Sequence, residues 1–165
     1  MSKDESLFEM DVKQFEKDIK EVQKLMDKAE ESALKAVKKE MTTITFDLLG
    51  EGMRRAPIHQ GFLRGSGIAK VNGDQTAHTK STGNGSASIV DDSTGNFSLQ
   101  KMINQFMGEV AFTAEYATIQ HENQSFNHPM GGEAKYLENP LKEKSVMYVK
   151  GIADTIKSDL NKGGG

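Results

Sequence analysis

The sequence predicts an α+β fold with a long N-terminal helix, a small antiparallel sheet that carries a long inserted loop or hairpin, and a C-terminal helix. Two segments toward the ends of the chain repeat apolar residues at helical spacing, and a middle segment alternates apolar with polar residues. Gly, Ser, Thr and Asn are concentrated between these segments. A chain of 165 residues has room for one such core with extensions.

The first helix is predicted over residues 1–50, where apolar residues alternate steps of three and four. Neither Gly nor Pro interrupts this stretch before Gly50, and the intervening positions are mostly charged. The stripe consists of Phe8, Val12, Phe15, Ile19, Val22, Met26, Ala29, Ala33 and Ala36. It then changes register to Val37, Met41, Ile44 and Leu48, which indicates that the second half faces the core. The first half either lies on the protein's own sheet or projects to contact a neighbouring subunit.

Residues 51–162 are predicted to form the α+β domain. Pro57 ends the helix around residues 52–55, and residues 67–71 alternate as a strand does. Residues 72–96 are expected to form a mobile loop, and a brief strand at 86–90 would instead make this segment a protruding hairpin. The clearest strand is 108–113.

A short element at 114–122 and a second loop at 123–133 follow this strand. The last helix begins near Tyr136 with Pro140 in its first turn, and its apolar positions include Leu141, Val146, Val149 and Ile152. Residues 163–165 are expected to be a flexible tail, since all three are Gly.

Composition excludes several classes of function. The absence of cysteine excludes disulfides, thiolate zinc sites and cysteine nucleophiles. A net charge of -3 with scattered Lys and Arg disfavours generic or sequence-specific nucleic-acid binding. No apolar signal core or membrane-length apolar run is present, so we expect no membrane partner and a cytoplasmic site of synthesis. With 36% hydrophobic residues, part of the surface is expected to be completed only when subunits pack together, or part of the chain is disordered.

No catalytic, cofactor or metal site is predicted. The four histidines, with Glu122 and Glu133, lack the spacing of a helical ligand pair, and they are His59, His78, His121 and His128. Residues 83–86 resemble a phosphate loop only in glycine content, because no Lys-Ser or Lys-Thr and no helix follows. No Gly-x-Ser-x-Gly elbow is present. These absences predict that the protein is not an enzyme.

The segment after the first helix carries the first recognisable motif. It has a basic pair and Ala-Pro, then a polar turn with Gly, then Leu, a basic residue and Ser; its candidate interface residues are Arg54, Arg55, Pro57, Gly61, Phe62, Leu63 and Arg64. Pro57 and Gly61 favour a rigid turn. The arginines crowd positive charge at this corner, where they either contact a partner or interact with the carbonyls of the helix end.

Two further motifs follow in order. Tyr116-Ala117 after the strand leads to Glu122, and Lys135-Tyr136 introduces the last helix. Together with the first motif, they resemble a family of tail components of long-tailed phages, described as minor capsid, neck or tail-completion proteins. The sequence departs from that family's pattern at His59-Gln60, where Asp-Thr is usual, at Phe62, and in lacking a Gly after Glu122. Tyr116 itself is either a core residue or a recognition residue.

The resemblance implies a structural virion protein at the head-tail junction, made in the host cytoplasm and retained in the virion. It implies ring-type self-assembly and contact with connector, head-closure or tail-tube proteins, either as a neck protein or as a tail terminator. In such a ring, one surface of each subunit meets a different surface of the next. The alternative is a cytoplasmic, non-enzymatic adaptor whose heptad stripe forms a coiled-coil dimer.

Overall fold

The computed structural model describes residues 3–58, 60–93 and 107–162, and the side chains of its first helix at Asp27 and from Glu30 onward. The helices and strands are α1 Lys3–Arg55, β1 Gly67–Val71, β2 Asp74–Gly83, β3 Ser86–Asp91, β4 Gly108–Phe112, α2 Ala117–Glu122 and α3 Glu138–Lys162. A 3-10 turn, Arg64–Ser66, precedes β1. This order confirms the predicted α+β fold.

Helix α1 ends where the sequence indicates. Its last turn closes with a hydrogen bond from the Ala56 amide to the Gly52 carbonyl at 2.8 Å, and Pro57 cannot continue the ladder. Val37 and Leu49 in its second half are buried, as expected of the core-facing half. The side chains of the apolar stripe from Phe8 to Met26, and that of Ala29, lie outside the described residues, so the projection of the first half stays a prediction.

The four strands form one antiparallel sheet in the order β3-β2-β1-β4. One face of this sheet packs against α1, because Leu49 of α1 forms a buried cluster with Ala69 and Ala77. Partly buried Val110 and Phe112 of β4 complete this layer. The sheet therefore has α1 on one face and two edge strands, β3 and β4, on opposite sides.

The predicted loop 72–96 is wrong for residues 74–83 and 86–91, which form β2 and β3. The hairpin alternative is correct, and the strand predicted at 86–90 lies within β3. Two Asn-Gly pairs make the turns, with positive φ at both residues of Asn72-Gly73 and of Asn84-Gly85, the conformation that tight hairpins favour. Thr79 of β2 is buried, and its hydroxyl oxygen accepts a hydrogen bond from the Gly67 amide at 2.6 Å. Residues 94–96 lie outside the described residues.

Helix α3 runs antiparallel along the second half of α1. Ser32 near the middle of α1 donates to Asp159 at 3.0 Å, whereas Asp47 near its end accepts the Tyr148 hydroxyl at 2.6 Å. The helix starts two residues after the predicted Tyr136, and Pro140 lies in its first turn. The tail at 163–165 lies outside the described residues. Helix α3 thus packs on α1, which itself packs on the sheet.

Candidate functional site

The corner between α1 and β1 is held by Arg64. Its Nε donates to the Ala56 carbonyl at 2.9 Å, and its second terminal nitrogen donates to the Arg54 carbonyl at 2.8 Å. These carbonyls have no partner inside the helix, so the guanidinium stabilises the helix end. Burial lowers the pKa of Arg64 from its ordinary value. The corner arginines were predicted either to contact a partner or to interact with the carbonyls of the helix end, and Arg64 makes the second of these contacts.

Arg55 joins the end of α1 to the start of α3. Its two terminal nitrogens lie 2.8 and 2.5 Å from the carboxylate oxygens of Glu143, and one of them is 3.4 Å from Glu133. Such two-pronged pairing has directional specificity that a lysine could not supply. The hydrogen bond with Glu143 is the largest cause of the raised pKa of Arg55. Sequence reasoning did not identify Glu143, which lies 88 positions away.

The turn after Pro57 exposes one side chain and buries the next. Phe62 is 63% exposed, whereas Leu63 is only 1% exposed and belongs to the core. Gly61 has a φ of 81°, and a Cβ there would lie 2.9 Å from the Ser81 hydroxyl oxygen, so a side chain would clash with β2. Arg54 keeps 59% of its side chain exposed while it pairs with Glu51 at 2.7 Å. The turn and helix end therefore present an aromatic ring and a cation to solvent.

The three motifs of the sequence meet in one core cluster. Ala56 and Leu63 of the first motif pack with Ala117 of the second and Tyr136 of the third. The Tyr136 hydroxyl donates to the Ala117 carbonyl at 3.1 Å, which ties the start of α3 to α2. Tyr116, in contrast, is 36% exposed, so its neighbour Ala117 supplies the core contact.

Lys135 links the second and third motifs at the surface. Its ammonium group pairs with Glu122 and with Glu138, the latter at 2.9 Å. The hydrogen bond that Lys135 donates to Glu122 is the largest cause of the raised pKa of Lys135. The backbone amide of Lys135 also donates to the His121 carbonyl at 2.8 Å. These contacts fix the loop that precedes α3.

An open apolar groove of about 870 Å³ lies between α1, β4, α2 and α3. We call it the β4 groove, since the edge strand β4 forms one wall. Its apolar lining residues include Met41, Ile44, Leu48, Val110, Leu141 and Val149. Sequence reasoning assigned these residues to helix or strand faces, but their periodicity alone could not show that the facing surfaces leave an open groove.

A second concavity of about 520 Å³ lies beside the corner. Pro57, Ile58 and Leu63 line one side of it, and Tyr116 and Met130 line another. Met130 is well exposed, so this surface is shallow and apolar. It places Tyr116 next to the turn that carries Phe62.

The described residues show no group of three or more His, Cys, Asp or Glu side chains that could hold a metal ion. His78 pairs with Asp92 at 2.7 Å and His121 with Glu122 at 2.7 Å, at separate places in the fold. His59 lies outside the described residues. In the part of the chain that the structure describes, none of the helices is both long and apolar enough to cross a membrane.

Glu51 of α1 forms ion pairs with Arg54 and Arg55 of the same helix and with Lys144 of α3. It accepts from Lys144 at 3.0 Å and from Arg54 at 2.7 Å, and both cations lower the pKa of its carboxyl group from 4.5 to about 2. Because the folded-state pKa is depressed, this stabilisation is present above pH 4.5 and is lost as the pH falls toward about 2. Acid should therefore loosen the contact between the two helices.

We expect Glu51→Gln to reduce the acid sensitivity of folding. The variant should be less stable than the parent at about pH 6, and the difference should shrink at about pH 3, where the parent carboxylate begins to be protonated. Urea denaturation at both pH values measures the free energy of unfolding. Glu115→Gln, at an exposed position, is the control, and its loss of stability on acidification should equal that of the parent. An equal loss of stability on acidification in Glu51→Gln and parent would show that Glu51 does not contribute to acid sensitivity.

Comparison with protein-family models, with curated proteins and with solved structures finds no match to this chain.

Proposed function

We propose that this protein is a non-enzymatic structural component of a tailed-phage virion that assembles into a ring at the head-tail junction. The observation that carries the proposal is the apolar surface which the single chain leaves uncovered. The β4 groove opens on the same side as exposed residues of α3, where Val149 is 67% exposed. Contiguous apolar surface of this kind marks a protein-protein contact in soluble proteins.

The exposed surface of α3 extends beyond the groove. Val146 is 81% exposed and Met147 is 56% exposed, although both lie on a helix that already packs against α1. Burying one such side chain contributes roughly 1.5–3 kcal/mol. Subunits that pack through this surface would thus gain stability that the monomer lacks, which fits the low hydrophobic content of the chain.

The resemblance of the three motifs to phage neck and tail-completion proteins supports ring-type assembly. Their convergence on one core around Tyr136 supports treating them as parts of one folded unit rather than as chance dipeptides. The partners would be copies of this chain together with connector, head-closure or tail-tube proteins. The virion would be the final location, after assembly in the host cytoplasm.

Light scattering across a concentration series, with negative-stain microscopy of any large fraction, tests this proposal. We expect closed rings, formed either by the chain alone or on addition of the connector or tail-tube proteins of its phage. A species that remains monomeric or dimeric at every concentration, and in the presence of those proteins, would contradict the proposal.

A second candidate, a cytoplasmic coiled-coil adaptor, is favoured by the length of α1. Its 53 residues span about 80 Å, whereas the 25 residues of α3 span about 38 Å and can cover less than half of it. The apolar stripe from Phe8 to Ala36 could then pair with the same stripe of a second chain. A dimer that does not change with concentration and that ignores phage proteins would favour this candidate.

A further inference from the structure

The chemistry of the β4 groove specifies what it can bind. Its walls are apolar, and three carboxylates, Glu109, Glu122 and Glu138, border it, while neither Lys nor Arg is among the residues that line it. Two of these carboxylates already have cationic partners outside the lining, since Lys135 pairs with Glu122 and both Lys135 and Lys142 pair with Glu138. Within the described ranges no ion pair is found for Glu109. The groove therefore suits an apolar group that is flanked by a cation.

The turn at residues 60–66 offers such a group. Phe62 projects from it, and the backbone beneath is held by a hydrogen bond from the Gly65 amide to the Gly61 carbonyl at 2.9 Å. The Ser66 amide donates to the Leu63 carbonyl at 3.0 Å, and Arg64 ties the turn to the end of α1. A ring presented on a fixed backbone loses little conformational freedom on binding, which is typical of anchor residues.

The surroundings of Phe62 have the opposite charge to the groove. The turn at residues 60–66 contains no Asp or Glu but includes Arg64, and Lys80 precedes Ser81, on which Gly65 of the turn packs. Exposed Arg54 lies at the end of the helix that leads into the turn. Opposite charges on two surfaces steer them together and disfavour contact between two identical surfaces.

The two surfaces are also placed for a head-to-tail contact. A Cβ at Gly65 would lie 2.6 Å from the Ser81 amide nitrogen, so the turn packs directly on the β2–β3 hairpin. At its other end the turn meets the segment after β4, where the Thr113 amide donates to the Ser66 carbonyl at 2.9 Å, whereas the groove is walled by β4 itself and by α1, α2 and α3. A contact between the turn of one copy and the groove of another therefore uses different surfaces on each copy and leaves both unused surfaces free for the next subunit.

We propose that Phe62 of one copy inserts into the β4 groove of the next, with Arg54 facing the carboxylates that border it. This contact rests on the proposed function, since it is the contact that would propagate a ring. The contact is heterologous, so each subunit supplies Phe62 to one neighbour and its β4 groove to the other.

Photo-crosslinking tests the contact directly. With p-benzoylphenylalanine in place of Phe62, irradiation of the full chain at an assembling concentration should give crosslinks between copies, and mass spectrometry should map them to groove residues such as Leu141 and Val149. The same amino acid at exposed Lys157 is the control, because that position of α3 does not line the groove. Crosslinks from position 62 to any other surface, or to a connector protein alone, would overturn the inference.

Phe62→Glu supplies a second readout. The added carboxylate should be repelled by the groove, and the concentration for half-assembly should rise at least about tenfold, the effect of losing one anchor contact. Phe62→Leu, which keeps an apolar side chain, should change it far less, and thermal melting confirms that both variants fold. Rings that form equally well with Phe62→Glu would overturn the inference and leave the proposed function standing. A parent chain that never assembles, alone or with its phage proteins, would overturn both.

Discussion

Replacement of Tyr136 by Ala is expected to lower the free energy of unfolding by about 3–5 kcal/mol, the range for removing a buried aromatic side chain. Tyr136 is 1% exposed, and its ring makes edge-to-face contacts with Phe112 at 5.2 Å and with His121 at 4.9 Å between ring centroids. The side chain joins α3 to β4 and α2 at once. Its loss would leave a cavity where the three sequence motifs meet, and the walls of the β4 groove would lose their common support.

Tyr136→Phe separates the ring from its hydroxyl. The ring contacts would remain, and only the hydrogen bond to the Ala117 carbonyl would be lost, so we expect a cost of about 1 kcal/mol. Burial also raises the pKa of Tyr136 to about 12. Urea denaturation of both variants measures the difference. A cost for Tyr136→Ala no greater than that for Tyr136→Phe would show that the ring does not organise this core.

Gly132→Ala is expected to lower the free energy of unfolding by about 3 kcal/mol or more, although the residue is exposed. A Cβ at this position would lie 2.4 Å from the Pro57 Cα atom and 2.7 Å from the Ala56 carbonyl oxygen. These are backbone atoms that cannot rotate away. The adjacent hydrogen bonds, from the Ile58 amide to the Gly131 carbonyl and from the Glu133 amide to the Arg55 carbonyl, hold the loop against the helix end.

Gly73→Ala is the matched control for this prediction. Gly73 has a φ of 85°, close to the 99° of Gly132, but a Cβ there would meet no atom within 4 Å. Its cost should be limited to the backbone conformation, about 1 kcal/mol. Thermal or urea unfolding of the two variants compares them under the same conditions. Equal costs at the two positions would mean that the loop shifts to admit the methyl group, so its packing on Pro57 would not be a rigid contact.

The fold class and the helix ends followed from local patterns. The apolar stripe of α1 repeats at helical spacing, and Pro57 stops it for a steric reason that needs no tertiary contact. Strand β1 was predicted with its exact bounds because alternation over five residues reflects burial on one face only. Strand β2 was missed, since its buried residues are the small or hydroxylated Thr76, Ala77 and Thr79, which do not stand out as apolar.

The signal that could have identified β2 was present in the two Asn-Gly pairs. Such pairs favour the turn of a tight hairpin when strands flank them. Reading Asn72-Gly73 and Asn84-Gly85 as turns would have bounded β2 and β3. The residues that flank these pairs are polar, however, so composition alone favours a loop. The strand conformation depends on hydrogen bonds from neighbouring strands and on the packing of α1 on one face of the sheet.

The candidate interface was likewise determined partly by the sequence and partly by the tertiary structure. Sequence by itself determined that a basic, Pro-containing corner would carry an aromatic residue, because these side chains are adjacent in the chain. Only the tertiary structure decided which arginines are committed to the fold, as Arg55 meets Glu143 of α3 and Arg64 binds the carbonyls of the helix end, while Arg54 stays largely exposed. It also decided that the apolar residues of α1, β4 and α3 leave a groove between them. Periodicity along one element reports which face is apolar, whereas the distance between two such faces depends on how distant segments pack.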